Sequence, residues 1–130
     1  MSEDRFIQKL AQFRHALAAL KLALEQPEDE FVRDSIIKRF ELSFETARKA
    51  MHQWLVDQEE IPYESTKKAV MEAAFKTALV SDADLWADIA VARNDASHEY
   101  DQTKALEIVA FVRARAVAAF DALLATLEAR

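Results

Sequence analysis

The chain reads as all-α, an antiparallel bundle of about five helices around a four-helix up-and-down core, and three observations carry that reading. There is no glycine in 130 residues, where average usage of about 7% would supply roughly nine; without it, tight two-residue hairpins are hard to build. Alanine and leucine, both strong helix formers, are plentiful. Apolar residues also recur at alternating steps of three and four, the period of one helix face.

The first helix spans residues 3 to about 25, where Phe6, Leu10, Phe13, Leu17, Leu20 and Leu24 make one stripe. Pro27 closes it, and Glu28-Asp29-Glu30 opens the next, acids being favoured at the positive end of a helix dipole. The second helix runs from about Asp29 to Gln58 on Ile37, Phe40, Phe44, Ala47, Met51 and Trp54. About 30 residues make it roughly 45 Å long, more than a globule of this size needs, which points to an interface at one end. Glu59-Glu60-Ile61-Pro62-Tyr63 is a loop, because Pro62 biases Ile61 away from helix. Ser65 is the candidate cap of a third helix to about Val80, with Val70, Met71, Ala74, Phe75 and Ala78 inward. Ser81-Asp82-Ala83-Asp84 matches a capping signature and starts a fourth helix that buries Leu85, Trp86 and Ile89. Asp101 or Thr103 restarts the chain as a fifth helix to about Glu128, on Ala105, Val109, Val112, Ala116, Phe120, Leu123 and Leu127. No linker, repeat or low-complexity segment divides residues 1–130, so a single domain is expected.

Composition removes several function classes. Glycine-dependent phosphate loops are excluded, and with them the P-loop and the dinucleotide fingerprint. The absence of cysteine excludes disulfides and thiolate metal sites. His15 and His52 are isolated, and no His-x-x-x-His or Glu-x-x-His pair exists, so neither a metal nor another cofactor is expected. Asp82 and Asp84 read as ordinary acids of a helix start. Met1-Ser2-Glu3-Asp4 is acidic where a secretion signal would be basic, and no apolar run approaches the roughly 20 residues of a membrane span; a cytoplasmic protein is the expectation. A net charge of −6 argues against coating nucleic acid by bulk electrostatics.

The candidate chemistry sits in Ala92-Arg93-Asn94-Asp95-Ala96-Ser97-His98-Glu99-Tyr100-Asp101. A histidine moves protons near neutral pH, an arginine grips phosphate bidentately, and a phenol is an acceptor for a transferred group. On a continuous helix Arg93 and Tyr100 share a face, whereas Arg93 and His98 diverge by roughly 140°. Either the helix breaks near Ser97 or two chains pool their motifs across a dimer axis. The plainer reading, a polar helix end with solvated charges, carries about equal weight.

Arg93-Asn94-Asp95-Ala96-Ser97-His98-Glu99-Tyr100 resembles the R-x4-H-x-Y motif of HEPN domains, and most closely the branch of nucleotidyltransferase substrate-binding proteins. Phe31 to Glu45, Phe-Val-Arg-Asp-Ser-Ile-Ile-Lys-Arg-Phe-Glu-Leu-Ser-Phe-Glu, is similar to that branch's long-helix signature. Together the two segments extend the resemblance over nearly the whole chain. It implies a HEPN-like homodimeric bundle encoded beside a minimal nucleotidyltransferase in a toxin–antitoxin-like module. In a ribonuclease of this kind, His98 moves the proton, Arg93 neutralises the phosphorane and Asn94 or Asp95 orients the site, giving metal-independent cleavage of RNA. In other members of the family that it resembles, the transferase partner adds AMP to the motif tyrosine, which here would be Tyr100, and so silences the toxin. The alternative implied by the same resemblance is a non-enzymatic subunit that presents a substrate to the transferase.

Overall fold

Four helix starts carry the same device, a side-chain oxygen that accepts the backbone N–H three residues on. Asp29 accepts from Val32 at 2.7 Å, Thr66 from Ala69 at 3.1 Å, Asp82 from Leu85 at 3.0 Å and Asp101 from Lys104 at 2.9 Å. Each satisfies one of the donors that a helix start leaves without a partner. In the computed structural model, which describes residues 2–130, these caps open α2 (Glu30–Asp57), α3 (Lys67–Lys76), α4 (Ala83–Ser97) and α5 (Gln102–Phe111). They follow α1 (Ser2–Leu24); a π-helical stretch, Val112–Ala116, then joins α5 to α6 (Val117–Ala129) in one continuous rod.

Paired contacts fix the directions. Arg14 meets Glu128 and Lys21 meets Asp121, so α1 and α6 run antiparallel. Asp88 meets Arg115 and Asp95 meets Lys104, so α4 and the rod that begins with α5 do the same. Phe13, Phe40 and Phe120 are fully buried, and Phe120 lies 6.2 Å from Phe13, 6.1 Å from Phe40 and 5.9 Å from Trp86, ring centre to ring centre. One ring thus binds α1, α2, α4 and α6 into a common core, where aromatic pairs add to the gain from apolar burial. The stripes expected for the first two helices are the buried faces of α1 and α2, with Phe6, Leu24, Phe44 and Trp54 half-buried at their margins. The all-α bundle expected from composition and periodicity is the observed architecture.

Three details differ from expectation. The third helix starts one residue later than a Ser65 cap would place it: Ser65 Oγ instead donates to Pro62 O at 2.7 Å, and Thr66 is the cap. It also ends at Lys76 rather than near Val80. Ala78 has φ 63° and is exposed rather than inward, because the chain turns through the left-handed region there to bring Leu79 and Val80 into the core. Ser81 is not the cap of α4; Asp82 is, its carboxylate being a stronger acceptor for the same N–H than a neighbouring hydroxyl.

Candidate functional site

α4 delivers the motif and stops inside it. His98 N–H still donates to Asp95 O at 3.3 Å, but His98 itself has extended backbone, φ −100° and ψ 170°. The helix therefore breaks after Ser97, the first of the two arrangements that the spacing of Arg93 and His98 required. Ser97 Oγ folds back onto Asn94 O at 2.9 Å, spending its hydrogen bond within the last turn. Glu99, Tyr100 and Asp101 bridge to α5 outside any helix. Arg93 and Tyr100 consequently do not share a helix face.

The five residues separate onto different surfaces. Arg93 and Asn94 line a cleft of about 250 Å³ between α2, α3 and α4. Asp95, two positions on and so on the opposite side of α4, lines another cleft of about 250 Å³ against α5. There it lies 3.8 Å from Lys104, whose ammonium is held above its usual pKa by Glu107 first and by Asp95 second. His98 is exposed and its ring meets no hydrogen-bond partner among the described residues. Tyr100 leans the other way, onto α2, where its O–H donates to Asp34 Oδ1 at 3.1 Å. Burial pushes the phenol's pKa up, and the Asp34 carboxylate beside it adds to the rise. The neutral phenol is the favoured form, with a proton acceptor already in contact.

The cleft around Arg93 contains residues that the sequence did not mark as part of a site. α2 contributes Phe44, Glu45 and Arg48, and α3 contributes Lys67, Lys68 and Met71. Glu45 pairs with Arg48 one helical turn on. Burial raises the Glu45 pKa, but Arg48, followed by Lys67 and Lys49, more than offsets it and holds the carboxyl below its usual value. Arg93 meets no carboxylate among the described residues, and neither do Lys67 and Lys68. Nε of Arg48 and Nε of Arg93 are both sealed from solvent with no acceptor. Four cations thus face one carboxylate on the walls of a chain whose net charge is −6. One signal in the sequence pointed here. The first turn of α3 carries Lys67 and Lys68 and no acid, the reverse of what the helix dipole favours.

The other histidines stand apart from this cleft. His15 is exposed on α1. His52 stacks on Tyr63 with ring centres 5.6 Å apart, and its Nε2 lies 2.8 Å from Tyr63 O, which pins the loop after α2.

A family model described as nucleotidyltransferase substrate binding protein like matches residues 8–129. No curated protein matches the chain.

Proposed function

Because the chain belongs to the nucleotidyltransferase substrate binding protein like family, we propose that it acts as the substrate-presenting partner of a minimal nucleotidyltransferase, the two forming a toxin–antitoxin-like module. The observation that carries this reading is the position of Arg93. It turns with Asn94 into a cationic cleft, while His98 stands free in solvent beyond the end of α4. A single chain therefore offers a phosphate charge neutralisation by a guanidinium. It does not set a proton carrier beside that guanidinium, which acid–base catalysis requires. Presenting a substrate needs only the first. The test is co-expression with the transferase encoded beside it, followed by size-exclusion chromatography with light scattering. Co-elution as a complex is expected, and separate elution at micromolar concentration would remove the reading.

A second reading is favoured by two further observations. The break after Ser97 leaves His98 extended and unpaired. On α2, Phe31 and Leu42 are 82% and 53% exposed; eleven residues apart, they share one face. These two exposed apolar side chains, with Ser35 and Lys38 between them on that face, are what a two-fold homodimer joined along α2 would cover. Such a dimer would supply His98 of one copy to Arg93 of the other, with Asn94 or Asp95 as orienting groups, and make a metal-independent endoribonuclease. Addition of AMP to Tyr100 would then close it. The phenol oxygen bonds to the α-phosphorus of ATP, pyrophosphate leaves, and the phenol proton passes to Asp34, its present acceptor. RNA cleavage in EDTA that disappears in His98→Ala, together with an AMP mass addition that disappears in Tyr100→Phe, would establish this reading. Absence of both in an active transferase mixture would leave the substrate-presenting one.

A further inference from the structure

Arginines without carboxylates are costly to bury. Taking a guanidinium out of water is offset only by a counter-charge with good geometry, and the structure supplies none for Arg93. Arg48 is more constrained still. Its side chain is only 13% exposed, one edge is engaged by Glu45, and its Nε–H points at nothing. Lys67 and Lys68 add two positive charges at the end of α3 where the dipole is already positive. Three independent features, two acceptor-less guanidinium edges and an inverted helix start, converge on one cleft. Each is unfavourable in an empty site, and a single bound anion would offset the excess positive charge that they share. Helix starts, arginine forks and lysines are the groups that commonly receive phosphate oxygens.

We propose that the cleft between α2, α3 and α4 is a binding site for a small phosphomonoester, with Arg48, Arg93, Lys67 and Lys68 receiving the phosphate and Phe44 and Met71 receiving its organic body. Charge decides for the monoester. Four cations against Glu45 leave three positive charges, and a monoester brings nearly two negative charges at neutral pH, whereas an internal phosphodiester of a nucleic acid strand brings only one. Size agrees. A cleft of about 250 Å³ lies just below the range of about 300–1,000 Å³ usual for small-molecule sites, enough for a phosphate with a compact organic group. The apolar wall excludes bare phosphate as the preferred occupant, because Phe44 and Met71 would then stay solvated. Both Nε atoms are sealed in the empty site, so binding would require a guanidinium to turn about its side-chain torsions, presenting its Nε–Nη edge to the phosphate. That the occupant is the molecule handed to the transferase rests on the preceding reading; the site itself does not.

The test is calorimetric titration of the isolated chain with ribose 5-phosphate, AMP, inorganic phosphate and the phosphodiester UpU. Ribose 5-phosphate or AMP should bind at least tenfold more tightly than inorganic phosphate or UpU. Arg93→Gln and Arg48→Gln should each weaken the monoester at least tenfold. Lys67→Met and Lys68→Met, exposed and safe for folding, should each weaken it about threefold and flatten its salt dependence. Monoester binding unchanged in the lysine and arginine variants would overturn the proposal. So would equal binding of inorganic phosphate, or UpU binding as tightly as the monoesters, the latter marking a nucleic acid strand as occupant. The two readings also fail separately. A chain that binds no monoester yet co-elutes with the transferase loses only the site, and one that binds a monoester yet never co-elutes loses only the partnership.

Discussion

The seam between α1 and α6 and the cleft between α2, α3 and α4 are both rich in cations, and they treat them oppositely. At the seam Arg14 lies 3.0 Å from Glu128 and Lys21 lies 2.5 Å from Asp121. At the nearby chain turn Arg113 and Arg33 share Glu28, each at 3.3 Å. Every one of these charges has a partner, and all stand on the rim of a mainly apolar interior. In the cleft, Arg93, Lys67 and Lys68 have no carboxylate, and only Arg48 is matched, by Glu45. Lys38, Arg39 and Lys49 on α2 also meet no carboxylate among the described residues, so what sets the cleft apart is the grouping of such cations on its walls together with the buried Nε atoms of Arg48 and Arg93.

The largest expected effect tests whether the two regions share one foundation. Phe120 touches Phe13, Phe40 and Trp86, and Trp86 in turn lies 6.5 Å from Phe44 at the cleft wall. Phe120→Ala should cost about 3–5 kcal/mol in urea unfolding, with circular dichroism and tryptophan fluorescence falling together. A fluorescence change that preceded the loss of helix would mean that the cleft unfolds alone.

The next effect carries the sign of the comparison. Arg93→Met removes a half-buried charge that has no partner and keeps an apolar stem. It should leave stability unchanged or raise it by about 1 kcal/mol. A loss above about 1 kcal/mol would mean that Arg93 is structurally paired after all. At the seam the same exchange has the opposite sign: Lys21→Met should lower stability, by less than about 1 kcal/mol, because exposed pairs contribute little and are screened by salt. Measuring both in low and high salt separates them, since only the Lys21 effect should shrink.

The smallest effect is a pH dependence. Glu45 is held below its ordinary pKa in the folded chain, chiefly by Arg48 against the opposing influence of burial. Its contribution is therefore present above the unfolded pKa of about 4.3 and is lost as pH falls through the lower folded value. Glu45→Gln should lower stability by about a few tenths of a kcal/mol at neutral pH, leave it nearly unchanged in strong acid, and so flatten the acid limb of the stability curve below about pH 5. An unchanged acid limb would mean that the Arg48–Glu45 pair is solvated away.

The sequence made the helices legible because apolar period and cap chemistry are local. Phe13, Leu17 and Leu20 reveal a buried face from a dozen letters, and Asp101 or the break near Ser97 can be read from residues within one turn. Two caps slipped by a single residue, since Ser65 and Thr66, like Ser81 and Asp82, are both competent and only backbone geometry chooses between them. The motif was also legible as a cluster of residue types. Its dispersal was not, because Tyr100 is claimed by Asp34, 66 residues earlier. The cleft was illegible for the same reason. Periodicity states which face of a helix points inward, but not which outer faces of α2, α3 and α4 adjoin. In the sequence alone Arg48 is indistinguishable from the other charges of a long helix.

The π-helical stretch Val112–Ala116 gives the last rod a property that no contact shows. A π turn holds one residue more than an α turn, so everything after Ala116 is rotated by roughly 100° relative to an uninterrupted helix. The rod behaves like two gears keyed to one shaft at different angles. Its first half pairs with α2 and α4, through Arg33–Gln102, Asp95–Lys104 and Asp88–Arg115; its second half pairs with α1, through Lys21–Asp121 and Arg14–Glu128, while Phe120 still packs on Phe40 of α2 and Trp86 of α4. Deleting one residue at Ala114 would re-time the halves to a single phase and turn one of those faces away from its neighbour. The extra residue is what lets one rod turn a charged flank to α4 along its first half and another to α1 along its second.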